Sequence, residues 1–204
     1  MIQSVEDRII KAARYTFYEK GYNGTSMRDI ARKAGVNYAL LHYYFKTKDK
    51  IFEIVFTEAF SMLFQRLGKA LASDANIFEK IKLMVAGYVQ TAQQYPQLPG
   101  FVMNELAVNF QLMMPVLEKH KKQNSVTHLF DSFYAEIEQA IQRGLIKEVN
   151  PKDLCTDILS MSLFPFIAQR CLTALIYEDR KSFKQMIAQR IEYTSRMIVN
   201  NIKV

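Results

Sequence analysis

The run TSMRDIARKAGVNYALLHYYFKTKDKIF occupies residues 25–52. It holds two short helical patterns separated by a single glycine. Ser26 and Asp29 have the spacing of a capping box, in which a hydroxyl and a carboxylate satisfy the free N–H groups at a helix start. Met27, Ile30, Ala31 and Ala34 then supply a narrow apolar face, and Gly35 ends it. Asn37 is a good N-cap for the next helix, which runs to Phe45. The turn Ala34-Gly35-Val36-Asn37 needs a conformation that side chains disfavour and glycine accepts. Small residues at 31 and 34 let the two helices approach, and Val36 plugs the angle between them. Two short helices joined in this way, packed on a preceding helix, make a helix-turn-helix.

The second helix of the pair has two faces. Leu41, Tyr44 and Phe45 fall on one stripe and are expected to point inward. Tyr38, Ala39, His42 and Tyr43 form the other face, too polar for a core and too aromatic for an idle surface. Tyrosine and histidine reach phosphates or base edges, and Ala39 allows close backbone approach. Lys46, Lys48 and Lys50 then crowd the start of a helix capped by Thr47. Cations are unfavourable at that end of the macrodipole. They make sense where a phosphate accepts both the ammonium groups and the free N–H groups. Thr25 and Arg28, at the start of the first helix of the pair, form a second candidate backbone clamp.

Outward from this stretch the chain reads as helix nearly everywhere, so the fold class is all-α. A first helix spans about 4–20, capped by Ser4 with Asp7, striped by Val5, Ile9, Ala13 and Phe17, and stopped at Gly21. A long helix covers about 48–72, with Ile51, Ile54, Val55, Ala59, Met62 and Leu63 inward. Further helices are predicted at about 75–94, 97–118 (with a break at Pro115 as an option), 122–144, 152–178 and 181–201. Pro165 is expected to kink or break its helix. The predicted organisation is a helix-turn-helix domain over 1–47 and a helical body over 48–204. Charge follows the same division. Residues 1–50 carry 10 Lys/Arg against 5 Asp/Glu, and residues 51–204 carry 17 against 15. Most of the net +7 therefore sits in a quarter of the chain, as a nucleic-acid module requires.

Other classes find little support. Cys155 and Cys171 make no disulfide framework and read as buried apolar residues. Glu6 and Asp7 stand where a signal peptide would be apolar. The apolar stretch SMSLFPFIA (160–168) falls short of the ~20 residues of a membrane span. No membrane association and a cytoplasmic location are therefore expected. His42, His120 and His128 lack metal-site spacing, and no phosphate loop, dinucleotide fingerprint or nucleophile elbow is present. No cofactor and no enzymatic activity are expected.

The run 25–52, with Gly21-Tyr22 before it, resembles the DNA-binding signature of the TetR family of bacterial transcriptional repressors. Ile30-Ala31, Ala34-Gly35-Val36, Leu41, Tyr44-Phe45 and Lys48 fit in order without gaps. The resemblance implies a homodimer on a palindromic operator in double-stranded DNA. It implies that Thr25, Arg28, Asn37, Tyr43 and Lys48 mainly hold phosphates while Tyr38, Ala39 and His42 lie near bases. The chain departs from the family at Leu40, usually a small residue, at Tyr38, often lysine, and at His42, often tyrosine. Leu40 is placed to meet thymine methyls, so the operator of relatives does not transfer.

The resemblance also implies an effector cavity in the body, and the Met- and aromatic-rich middle helices suit a small hydrophobic effector. Met84 and Tyr88, with Asn104, Gln111 and His128 as polar anchors, are its candidate lining. The apolar content of 152–178 and 181–201 marks a dimer surface, which in this family is a four-helix bundle. Two other readings compete: a ligand-independent regulator or chromosome-organising protein, and a helical carrier or interaction bundle without DNA binding.

Overall fold

The computed structural model describes residues 4–123, 125–177 and 179–204; the side chains of 120–127, His120 among them, lie outside the description. Among the described residues there are twelve helices and no strand, only an isolated bridge between Ile146 and Lys203. The chain divides into two compact units, Met1–Ser61 with Gly100–Lys122, and Met62–Pro99 with Gln123–Val204.

The first unit holds α1 (Val5–Lys20), α2 (Met27–Ala34), α3 (Tyr38–Phe45) and the start of α4 (Lys48–Leu71). It also contains α6 (Leu98–Val108) from Gly100 onward and α7 (Phe110–Gln123) up to Lys122. Both expected capping boxes form: Ser4 with Asp7 and Ser26 with Asp29. Ile9, Ala13 and Phe17 of α1 are fully buried. Phe17 meets Phe52 edge-on at 4.9 Å between ring centroids, and Phe52 and Phe56 pack on Phe101. Ile54, expected inward, is exposed instead; Phe52 and Phe56 occupy the buried face of α4. The predicted helix over 97–118 is two helices, and the break falls at Asn109 rather than Pro115, which lies inside α7. Asn109 has its carbonyl on the N–H groups of Leu112 and Met113 and its side chain on Glu105 and Asn23.

The second unit is built on α5 (Ile77–Gln94), with α8 (Ser125–Gln142), α9 (Pro151–Ile167) and α12 (Arg190–Ile202) against it. The predicted helix over 152–178 bends by 70° into α10 (Gln169–Leu175). Pro165 has no N–H for the carbonyl of Met161, and the guanidinium of Arg190 donates to that oxygen instead, Nε at 3.0 Å. The predicted helix over 181–201 is also two, α11 (Arg180–Ala188) and α12, meeting at Gln189 with no glycine or proline to mark the joint. Lys80, buried on α5, pairs with both carboxylate oxygens of Glu136 on α8 at 2.6 and 2.8 Å. Cys155 is half-buried and burial pushes its thiol up to about 12, whereas Cys171, expected buried, is exposed on α10. No single helix among the described residues is long and apolar enough to cross a membrane.

Candidate nucleic-acid interface

A short chain of backbone bonds positions α3. Gly35 takes the left-handed conformation (φ 65°, ψ 37°) and its N–H caps the end of α2. The N–H of Val36 donates to Ala31 at 3.1 Å, which turns the chain at once into α3. Asn37 then caps α3, its Oδ1 accepting the N–H of Leu40 at 2.7 Å. Leu41 and Phe45 anchor α3 to the core.

Tyr38, Ala39, His42 and Tyr43 are all exposed on α3, and Leu40 is half-buried at the edge of that surface. The rings of Tyr38 and His42 stack with centroids 6.1 Å apart. Tyr44 departs from the expected inward stripe: it is 43% exposed, with Tyr43 meeting it edge-on at 5.5 Å. The i,i+4 pair Leu41 and Phe45 suffices for the buried face, and Tyr44 is left at its rim. The exposed aromatic face is thus wider than the sequence pattern indicates.

Lys46 borders this face. Arg28 is exposed without an ion-pair partner among the described residues, as are Lys46 and Lys50. Lys46 places its ammonium 5.6 Å from the ring centre of Tyr43. It is the one described non-glycine residue with positive φ, 44°, at the junction between α3 and α4. Lys33 sits 3.7 Å above the ring of Tyr15, on the α1 side.

Thr25 and Lys48 differ from the other candidate clamps. Thr25 is 3% exposed, and its hydroxyl donates to the carbonyls of Gly21 (2.8 Å) and Thr16 (3.3 Å). Lys48 is half-buried, and its ammonium donates to the carbonyls of Tyr22 and Thr25, each at 3.0 Å. It also lies 3.9 Å over the ring of Tyr22. Tyr22 is half-buried: its ring packs on Phe52 and its hydroxyl donates to Asp49. Burial first, then Asp49, pushes that phenol up to about 12.

Glu105 was not among the residues singled out from the sequence. It is 1% exposed on α6, and its Oε1 accepts the N–H of Tyr22 at 3.0 Å. Its one visible sign in the sequence is that it is the sole charge in LPGFVMNELAV (98–108).

Residues 9–55 match the family described as bacterial regulatory proteins, tetR family. That segment is a TetR-family DNA-binding domain. The region matched begins in α1 and ends in α4, and so contains the whole of the exposed aromatic face. Over 205 residues the chain is 25% identical to the HTH-type transcriptional regulator RutR of Escherichia coli (strain K12), covering 99% of this chain and 92% of that one. It is 27% identical over 145 residues to the fatty acid metabolism regulator protein of Bacillus subtilis, 69% of this chain and 70% of that one. The crystal structure of the transcriptional regulator FadR from Bacillus subtilis in complex with stearoyl-CoA shares the fold. Its TM-score is 0.67 at 22% identity, over 96% of this chain and 98% of that chain. With that domain and these curated relatives, the chain is a DNA-binding transcriptional regulator.

The five residues expected to line an effector site fall in different surroundings. Met84 and Tyr88 are buried one turn apart on α5 in the second unit. Tyr88 meets Phe64 edge-on, and burial raises its phenol strongly, with Cys155 and Tyr134 adding to the effect. His128 is exposed on α8 in the same unit. Asn104 and Gln111 are exposed and belong to the first unit. Exposed apolar side chains gather at the end of α9 (Phe164, Ile167), on α10 and just after it (Leu175 at 77%, Ile176), and on α12 (Tyr193, Met197).

Proposed function

We propose that the chain is a homodimeric repressor whose segment 1–47 reads a palindromic operator while 48–204 carries the regulatory and dimerising role. The observation that carries this is the exposed face of α3, where Tyr38, Ala39, His42 and Tyr43 stand free of the core with Lys46 beside Tyr43. Tyr38, Ala39, Leu40 and His42 read bases; Arg28, Asn37, Tyr43 and the newly exposed Tyr44 hold the backbone. The exposed apolar residues of α9, α10 and α12 are the surface that a second copy covers, giving two-fold symmetry that the operator mirrors. A DNA target fits a cytoplasmic location.

Selection of bound sequences from random DNA tests the reading. Recovered sites with two inverted halves are expected, and exchange of Tyr38 or His42 for alanine should change the recovered bases. Sites without two-fold symmetry reject the homodimeric mode. Equal losses on selected and random DNA reject base reading.

The effector is a small lipophilic molecule, of which long acyl chains and their thioesters are the first to test. The support is the buried Met and aromatic content around α5, the relative named for fatty acid metabolism and the similar structure solved with stearoyl-CoA. An effector acts only by its differential affinity for the bound and released states. Addition of acyl compounds to the operator complex should therefore release DNA, and persistent retention across such compounds favours the ligand-independent alternative.

A further inference from the structure

The segment Gly21 to Thr25 leads directly into Ser26, the cap of α2. Two charges of opposite sign grip it from different helices. From α6, Glu105 accepts the N–H of Tyr22 at Oε1 (3.0 Å) and the side-chain amide of Asn109 at Oε2 (2.6 Å). From α4, Lys48 donates to the carbonyls of Tyr22 and Thr25. Asn109 extends the grip, its Oδ1 accepting the side-chain amide of Asn23 at 3.3 Å. Neither Glu105 nor Lys48 has an ion-pair partner among the described residues.

That arrangement has a physical reading. A carboxylate removed from water without a counter-ion is costly, and the hydrogen bonds it accepts must compensate. Here they come from the turn itself. Gly21 makes room for the approach, since a Cβ there would stand 2.9 Å from Oε1 of Glu105. The ammonium of Lys48 is likewise directed into the protein, with two carbonyls and a ring face around it. Charge-assisted bonds of this kind are the strong ones.

We propose that Glu105 and Lys48 form a clamp on the Tyr22 backbone that fixes where α2 begins, and through the α2–α3 turn fixes the pose of the reading helix. Both are positioning residues. The Lys48 ammonium acts on the turn rather than on a DNA phosphate, unlike the expectation from the family pattern, and Thr25 assists it from within the core.

Glu105→Gln and Lys48→Met test this. Glutamine keeps an acceptor for Tyr22 and removes the charge; methionine keeps an apolar stem against the Tyr22 ring and removes the donors. Each variant is titrated with the selected DNA over a range of salt concentrations, and amide exchange is followed without DNA. Each should weaken binding by about tenfold, the effect of losing one charge-assisted bond. The slope of log affinity against log salt should match that of the parent, because no phosphate contact is lost. The double variant should lose little more than either single one, because both act on one turn. The amides of Tyr22 and Thr25 should exchange faster in both variants while those of Ile9 and Phe17 stay protected. A slope reduced by about one in Lys48→Met would make the lysine a phosphate contact and overturn the proposal. So would simply additive losses, or unchanged exchange at Tyr22 in Glu105→Gln.

Discussion

Both units cap helices with polar side chains, Asn76, Asn150 and Asp179 doing so in the second, but the first grips one turn with two charges of opposite sign, whereas the second sets its charges between helices. In the first, Ser4, Ser26 and Asn37 cap helices, Thr25 bonds two carbonyls, and Lys48 and Glu105 grip one turn. In the second, Lys80 pairs with Glu136 across helices and Arg190 satisfies a carbonyl freed by a proline. A surface that reads DNA must hold its side chains to a fixed geometry, and satisfied polar contacts provide that. Apolar packing is non-directional and tolerates rearrangement more readily.

The comparison breaks most severely at a shared apolar contact. Phe17→Ala removes a fully buried ring that packs on Phe52, and should cost about 3–5 kcal/mol in denaturant melts. A cost below about 1 kcal/mol would mean that the polar ties alone hold the head, because such a cavity cannot be that cheap in a packed core.

Next in size is the Arg190 contact of the second unit. Arg190→Ala leaves the Met161 carbonyl without its donor and should cost about 1–3 kcal/mol. In a Pro165→Ala background the same change should cost less, because residue 165 then has an N–H for that oxygen. Equal costs in the two backgrounds would show that the guanidinium does not replace the missing helical bond.

The smallest effect separates a local tie from both. The hydroxyl and backbone N–H of Ser26 hold the carboxyl of Asp29 below its usual range, with Lys20 and Arg32 assisting. Because the folded value is depressed, the contribution is complete above the unfolded value of about 3.9 and is lost as pH falls through the lower folded value. Amide shifts of residues 26–29 should therefore titrate below that of a free aspartate, with the Ser26→Ala variant titrating closer to it. A midpoint at or above the free value would remove the capping box from the stability of α2.

The same contrast explains what the sequence reveals. The caps at Ser4, Ser26 and Asn37 and the turn at Gly35 are local rules, and the structure follows them. The aromatic face of α3 was readable for the same reason, since a single helical period separates Leu41 and Phe45 from Tyr38 and His42. Tyr44 was misplaced because periodicity cannot say how wide a buried face is. The bend at Ala168 follows Pro165, a local signal, but no glycine or proline announces the breaks at Asn109 and Gln189. Glu105 and the inward direction of Lys48 were illegible in the same way: a charge shows its sign in the sequence, but not which backbone group it will meet.

The chain also carries a built-in difference between its two sulfurs. With its thiol pushed up to about 12 by burial, Cys155 presents almost no thiolate at neutral pH. Cys171 is exposed on α10, one turn before Leu175. A maleimide fluorophore should therefore attach once per protomer, on an apolar stretch that awaits its cover. Its emission would register a second copy settling there, in solution and with no operator present.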